Sequence, residues 1–235
     1  MMVAILPALD EEQTVAAVVR DTLPHVDCVL VVDNGSTDGT AERAREAGAE
    51  VIREARRGYG RACLSGVEKA RELGAVVLVF LDADGSNNPG DLPRVIAPIL
   101  SGEADLVLGV RTPRSTEPGS MAAAQRFGNW LAPLLMRWVT GARYSDMPPL
   151  KAMTRASFDA LGVRDAGHGF TIELLMKAHR QKLRTTEVEV SFLRRAGGKS
   201  KVSGTLIGTV RASAKIVSHI VRHALDARAR AVFRD

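Results

Sequence analysis

The sequence predicts an α/β fold built on a mainly parallel, doubly wound sheet. Apolar runs of strand length recur along the first half of the chain, alternating with helical stretches, and the loops between them are short. The longest run, Val76-Val77-Leu78-Val79-Phe80-Leu81, stops abruptly at Asp82-Ala83-Asp84. Six large apolar residues in succession suit a strand buried on both faces. The carboxyl ends of such strands are where α/β sheets bind ligands. Two carboxylates this close repel unless a cation lies between them, and a hard divalent metal with oxygen ligands resolves the conflict. A metal–phosphate site is therefore expected at the end of this strand.

Val3 to Ala8 reads as the first strand, and Glu11 to Thr22 as a helix with acids in its first turn. Cys28 to Asp33 is a second buried strand. Residues Asn34 to Gly39 form a turn, and Thr40 to Ala47 a helix. Val51 to Arg53 is a short strand, Gly60 to Leu73 a helix, and Ala75 to Asp82 the central strand. Asp91 to Leu100 is helical and Leu106 to Gly109 a fifth strand. After Arg111 the rhythm changes. Met121 to Thr140 reads as one long helix that kinks or breaks at Pro133. Phe170 to His179 is another helix. Glu187 to Leu193 alternates weakly, as an edge or antiparallel strand does. Arg194 to Gly204 is a basic loop, and Thr205 to about Arg230 a final helix. No linker separates two domains, so residues 1–204 read as one domain and 205–235 as its amphipathic extension.

At 235 residues the chain can bury a full core, and 46% apolar and 25% charged residues are ordinary for a soluble globular protein. Cys28 and Cys63 have no metal or redox spacing and read as buried thiols of a reducing cytosol. The N-terminus has no basic leader, and no apolar stretch reaches the roughly 20 residues of a membrane-spanning helix. The expected place is the cytoplasm. The net charge of +5 is uneven: Arg180 to Asp235 carries 13 Lys/Arg against 4 Asp/Glu, a balance of +9, while the rest carries 19 against 23, a balance of −4. The acidic part suits a metal and the basic part an anion. Aromatics are only 4% and no nucleic-acid motif is present, so phosphates of a small ligand or a lipid surface fit better than nucleic acid.

Asp33 ends its strand where a carboxylate can accept the N–H edge of a base, although Asp33 to Thr40 is equally a turn with a helix cap. Pro7 to Glu12 reads either as a loop against a nucleotide or as an acidic helix start. Arg56-Arg57-Gly58-Tyr59-Gly60 opens a helix with backbone N–H groups and two cations, which suits a diphosphate. His219 and His223 share a helical face without a third ligand, and His168 precedes the helix bearing Glu173. On the last helix Leu206, Val210, Val217 and Ile220 form a stripe. It suits packing on the sheet or on a second copy of the chain, and equally a basic helix lying on an anionic bilayer.

Taken together, these segments resemble the family-2 glycosyltransferases of GT-A fold, most closely the polyprenyl-phosphate and dolichol-phosphate sugar transferases. The matching stretches are Pro7 to Glu12, Val31 to Thr40, Gly58-Tyr59-Gly60, Leu81 to Gly85, Gly109-Val110-Arg111, Asp146 to Ala152, Glu173 and Arg195 to Lys201. The resemblance implies that Pro7, Leu9 and Glu11 line the nucleotide pocket and that Asp33, with Asn34 beside it, holds the base. It places Gly58 and Asp82 on the donor, Asp82 and Asp84 on Mg2+ or Mn2+, and Arg111 near phosphate. Asp146 and Glu173 lie near the sugar or acceptor, and Arg195, Lys199, Ser200 and Lys201 cradle anionic groups. Asp10 stands where the family usually has asparagine, and Leu150-Lys151 where an aromatic–arginine pair is common.

The implied reaction is inverting, metal-dependent transfer of a hexose from a UDP- or GDP-sugar to a polyprenyl phosphate, by an enzyme peripheral to the inner face of the membrane. A phosphate acceptor is already an anion and needs no strong base. A soluble hydroxyl acceptor would need one, with Asp146 or Glu173 as candidates. A nucleotidyltransferase would carry a glycine-rich, lysine-ending loop after its first strand, where this chain has Asp10-Glu11-Glu12. A non-catalytic nucleotide-sugar-binding protein is the third alternative.

Overall fold

The computed structural model describes residues 1–197. Strands β1 (Met2–Ala8), β2 (Cys28–Asp33), β3 (Glu50–Arg53), β4 (Val77–Phe80), β5 (Leu106–Val110), β6 (Lys151–Thr154) and β7 (Thr185–Glu189) form one sheet in the order β3-β2-β1-β4-β6-β5-β7. All neighbours run parallel except β6, which is antiparallel to both β4 and β5. The helices are α1 (Val15–Thr22), α2 (Thr40–Glu46), α3 (Tyr59–Glu72), α4 (Leu92–Leu100), α5 (Ala123–Thr140), α6 (Arg155–Leu161) and α7 (Phe170–Arg180).

Successive strand residues point to opposite faces, and both faces are apolar, so each strand feeds two cores. Val3, Ile5, Leu30, Val32, Leu78 and Phe80 pack with α3, α5, α6 and α7 on one side. Ala4, Leu6, Val29, Val31, Val77 and Val79 pack with α1, α2 and α4 on the other. From β1 the chain winds outward to β3, then returns to place β4 on the opposite side of β1. That reversal opens a crevice beyond the carboxyl ends of β1 and β4, where an α/β sheet binds its ligand. Glu11 follows β1 there, and Asp82 and Asp84 follow β4.

The reading of residues 1–110 as alternating strands and helices agrees with this fold. Three features of the second half differ from expectation. The edge strand lies at 185–189 and runs parallel to β5. Of the kink or break expected at Pro133, the break is absent, since α5 is one continuous helix. β6 and α6 have no counterpart in the sequence reading. The final helix, the boundary at residue 204, His219, His223, Lys199, Ser200 and Lys201 lie outside the described residues.

Candidate active site

The loop after β1 is fastened to the turn after β2. Asp10 takes a left-handed backbone (φ 51°), which short Asn and Asp side chains tolerate best among non-glycine residues. Its carboxylate accepts the Thr37 N–H at 2.8 Å, and its own N–H donates to Ser36 Oγ at 2.9 Å. The Glu11 N–H donates to Thr40 Oγ1 at 2.7 Å. Asp33, buried at the end of β2, accepts the Ser36 N–H at 2.9 Å. Pro7, Leu9, Glu11 and Asp33 therefore share one rim of the crevice, since Pro7 and Ala8 pair in register with Val32 and Asp33.

Asn34 is fully engaged by protein. Its Nδ2 donates to the carbonyls of Glu54 (3.1 Å) and Arg56 (2.9 Å), and its Oδ1 accepts the Gly58 N–H at 2.7 Å. Glu54, which the sequence did not single out, completes this loop. Hydrogen bonds from Ser65 and Arg56 hold its carboxyl down at about 2. The diphosphate expected at the start of α3 meets a different arrangement. The N–H groups of Gly60 and Arg61 donate to the carbonyls of Gly167 (3.0 Å) and Ala166 (2.9 Å), so the docked 165–167 loop uses these two donors. A Cβ at Gly58 or Gly60 would lie well inside contact distance of that loop's backbone.

Glu173 holds the same loop from beneath. Its Oε2 accepts the N–H groups of Arg164 (2.9 Å) and Asp165 (2.6 Å), and Lys177 pairs with Oε1 at 2.6 Å. Burial would raise this carboxyl, but the ammonium and the two amides outweigh it and keep it below the usual range. Arg111 and Asp146, expected at phosphate and at the sugar, are committed to each other. Arg111 Nε and Nη2 meet the two carboxylate oxygens at 2.7 and 2.8 Å, and the Arg111 N–H adds a third bond at 3.1 Å. Both side chains are buried, with the guanidinium 5.0 Å from the centre of the Phe192 ring.

Asp84 accepts the Ser86 N–H at 2.9 Å and the Ser86 hydroxyl at 2.6 Å on Oδ1. Its Oδ2 faces Arg195 Nη2 at 2.7 Å, while Arg195 Nη1 reaches Glu11 Oε1 at 2.8 Å. Arg195 arrives on a segment laid across the crevice: the Leu193 N–H donates to Ser86 O, and the Phe192 N–H to Ser115 O, both at 2.8 Å. Burial and the neighbouring Asp84 carboxylate push Asp82 up to about 7, against the pull of Lys151, Arg111 and Arg195. Lys151 is wholly buried on β6, opposite Phe80 in register, with its ammonium near the rings of Phe80 and Phe170 and donating to Pro149 O at 3.0 Å. Burial lowers its pKa, and Cys63 and Asp82 oppose that. Behind Asp82, burial also raises the Cys63 thiol to about 12 and the Tyr59 phenol well above its ordinary value.

This donor set fits a hard dication. Asp82 sits at about 7 because two carboxylates share one low-dielectric corner, and Asp84 already draws a guanidinium, a cation standing where a metal's charge would act. Among the described residues no three His, Cys, Asp or Glu side chains converge on a metal position. One or two carboxylates completed by ligand phosphates and waters is the usual way proteins bind Mg2+.

The family model for glycosyl transferase family 2 matches residues 3–164. The chain belongs to this family. A family-2 fold thus accounts for β1 to β6. The chain is 38% identical over 213 residues to an uncharacterized glycosyltransferase of Mycobacterium tuberculosis, covering 88% of this chain and 91% of that one. It is 30% identical over 240 residues to the undecaprenyl-phosphate mannosyltransferase of Micrococcus luteus, covering 97% and 95%. Among solved structures, glucosyl-3-phosphoglycerate synthase from Mycobacterium tuberculosis, in complex with Mn2+, UDP-glucose and phosphoglyceric acid, superposes with a TM-score of 0.73 at 24% identity, covering 95% of this chain and 79% of that one. The protein is a glycosyltransferase of GT-A fold. No helix of the described residues is long and apolar enough to cross a membrane.

Proposed function

We propose that this glycosyltransferase moves a hexose, with inversion, from a nucleotide-diphosphate sugar to a polyprenyl phosphate. The observation that carries the choice of acceptor is the state of the two carboxylates suited to be a base. Asp146 is saturated by Arg111 and Glu173 by Lys177 and two amides. A hydroxyl acceptor would need a base with an open lone pair and a pKa near the working pH. A phosphate acceptor is already anionic and needs neither. The relatedness over nearly the full chain to a transferase named for undecaprenyl phosphate points the same way.

In this reading Pro7, Leu9 and Glu11 line the nucleotide pocket and Asp33 accepts from the base. Asn34 and Gly58 hold the pocket's wall rather than the ligand. Asp82 and Asp84 would hold Mg2+ or Mn2+, which when bound neutralises charge on the departing diphosphate. Arg195 supplies a second positive charge at the same corner, and the role the resemblance implies for Lys199, Ser200 and Lys201 is to cradle anionic groups of donor and acceptor. Arg111 and Asp146 clamp β5 to the segment before β6. Glu173 positions the 164–167 loop. A lipid acceptor brings the enzyme to the inner face of an anionic membrane as a peripheral protein.

The test is a matrix of UDP- and GDP-sugars against a short-chain polyprenyl phosphate, 3-phosphoglycerate and small alcohols, with Mn2+ present and nucleoside diphosphate release as readout. Release driven by polyprenyl phosphate alone is the expected result. Release driven only by an alcohol or by 3-phosphoglycerate would overturn the lipid-acceptor reading.

A further inference from the structure

We propose that the outer face of α5 docks this enzyme on an anionic lipid bilayer. The helix is apolar on both sides. Ala132 and Met136 are fully buried against the core. On the opposite side, at helical spacing, stand Phe127, Trp130, Leu131, Leu134 and Trp138. Phe127 is 50% exposed, Trp130 61% and Trp138 83%, where a helix of a soluble domain ordinarily carries charge. The rings of Phe127 and Trp130 touch, with centroids 5.8 Å apart, so the patch is continuous.

Charge selects the occupant. From Pro118 to Ser145 the chain has Arg126, Arg137 and Arg143, all exposed, and not one Asp or Glu. Aromatic residues on one face with arginines beside them are the composition of helices that lie in a membrane interface. The chain's own residues 198–235 carry eight Lys/Arg against two Asp, so they would meet this face with like charge. A second copy laid face to face would set Arg126 and Arg137 against their own kind. An anionic bilayer is the complementary surface. The position also serves the site. The segment leading into α5 is tied to the segment that carries Arg195, through the Glu117 N–H to Phe192 O bond at 2.8 Å. Docking by α5 would thus anchor to the lipid a segment bonded directly to the one that bears Arg195. The choice of a bilayer rests on the lipid-phosphate reading above.

The chain holds two tryptophans, Trp130 and Trp138, both on this face, so intrinsic fluorescence reports α5 alone. The full chain is titrated with vesicles of phosphatidylglycerol and phosphatidylcholine, and with phosphatidylcholine alone. The expected result is a blue shift with the anionic vesicles, quenching by brominated lipid, and at least tenfold weaker flotation for W130S/W138S and for R126E/R137E, each folded by circular dichroism. Absence of binding at low salt would overturn the proposal. So would flotation with unchanged emission, which means docking through another surface. An emission already blue and insensitive to vesicles means that protein covers the face, and overturns it as well. Failure of the functional reading looks different: vesicle binding through α5 with sugar transferred only to soluble acceptors would leave the docking face standing. Transfer to polyprenyl phosphate in detergent with silent tryptophans would do the reverse.

Discussion

Arg195 Nη2 lies 2.7 Å from Asp84 Oδ2, joining residues 111 positions apart at the mouth of the crevice. The same guanidinium holds Glu11, so one cation ties the end of β1 to the end of β4. Because Asp84 keeps two hydrogen bonds from Ser86, Asp84→Asn should fold normally, with a melting temperature within a few degrees of the parent. Its sugar transfer should fall by about a thousandfold or more, since the cation-based charge stabilisation lost is worth several kcal/mol. Progress curves for nucleoside diphosphate release, set beside a thermal melt, check both parts.

The Arg111–Asp146 pair makes the opposite forecast. Removing one partner of a buried ion pair strands the other and costs about 3–5 kcal/mol. Asp146→Ala should therefore lower urea-unfolding stability by that amount, whereas a side chain serving only as base would leave stability near that of the parent. Equilibrium unfolding in urea distinguishes the two.

Asp82 carries a pH signature. Its carboxyl ionises near 3.8 in the unfolded chain and at about 7 in the fold. The unfolded state thus loses its proton first as pH rises. The stability contributed by protonated Asp82 is fully present below pH 4 and is lost through pH 7. In metal-free buffer, the melting temperature of Asp82→Asn should match the parent near pH 4 and exceed it increasingly up to pH 7–8. A difference that stays flat with pH would contradict the shift.

Gly60→Ala should destabilise even though alanine is the better helix former by about 1 kcal/mol. The added Cβ would press on the carbonyls of Asp165 and Gly167, in the loop whose Ala166 and Gly167 carbonyls cap α3. A loss of about 1–3 kcal/mol is expected from such overpacking, read as a lowered urea midpoint.

Much of this was legible in the residues. The apolar runs of β1, β2, β4 and β5 need only burial on both faces to become strands, and the abrupt Leu81–Asp82 change marked the sheet edge. β6 was not legible, because Lys151 opens a four-residue strand and only the Phe80 and Phe170 rings, brought in by β4 and α7, make a place for a buried lysine. α6 did leave a signal: Thr154 accepts the Ser157 N–H at 3.1 Å as a cap, and Gly162 follows the last turn. β7 was placed late because its side chains are largely exposed and its pattern weak. For Asp146 and Glu173 the chemistry could be read but not the partners. Arg111 lies 35 residues away, and the amides of 164 and 165 become donors only once that loop folds back.

The most direct measurement is Mn2+ binding by electron paramagnetic resonance, with UDP or GDP present, in the parent chain and in Asp84→Asn. The account predicts one nucleotide-dependent Mn2+ per parent chain and its loss in the variant. Equal Mn2+ binding in both, or nucleoside diphosphate release by the parent that persists undiminished in EDTA, would contradict a dication held at the tip of β4.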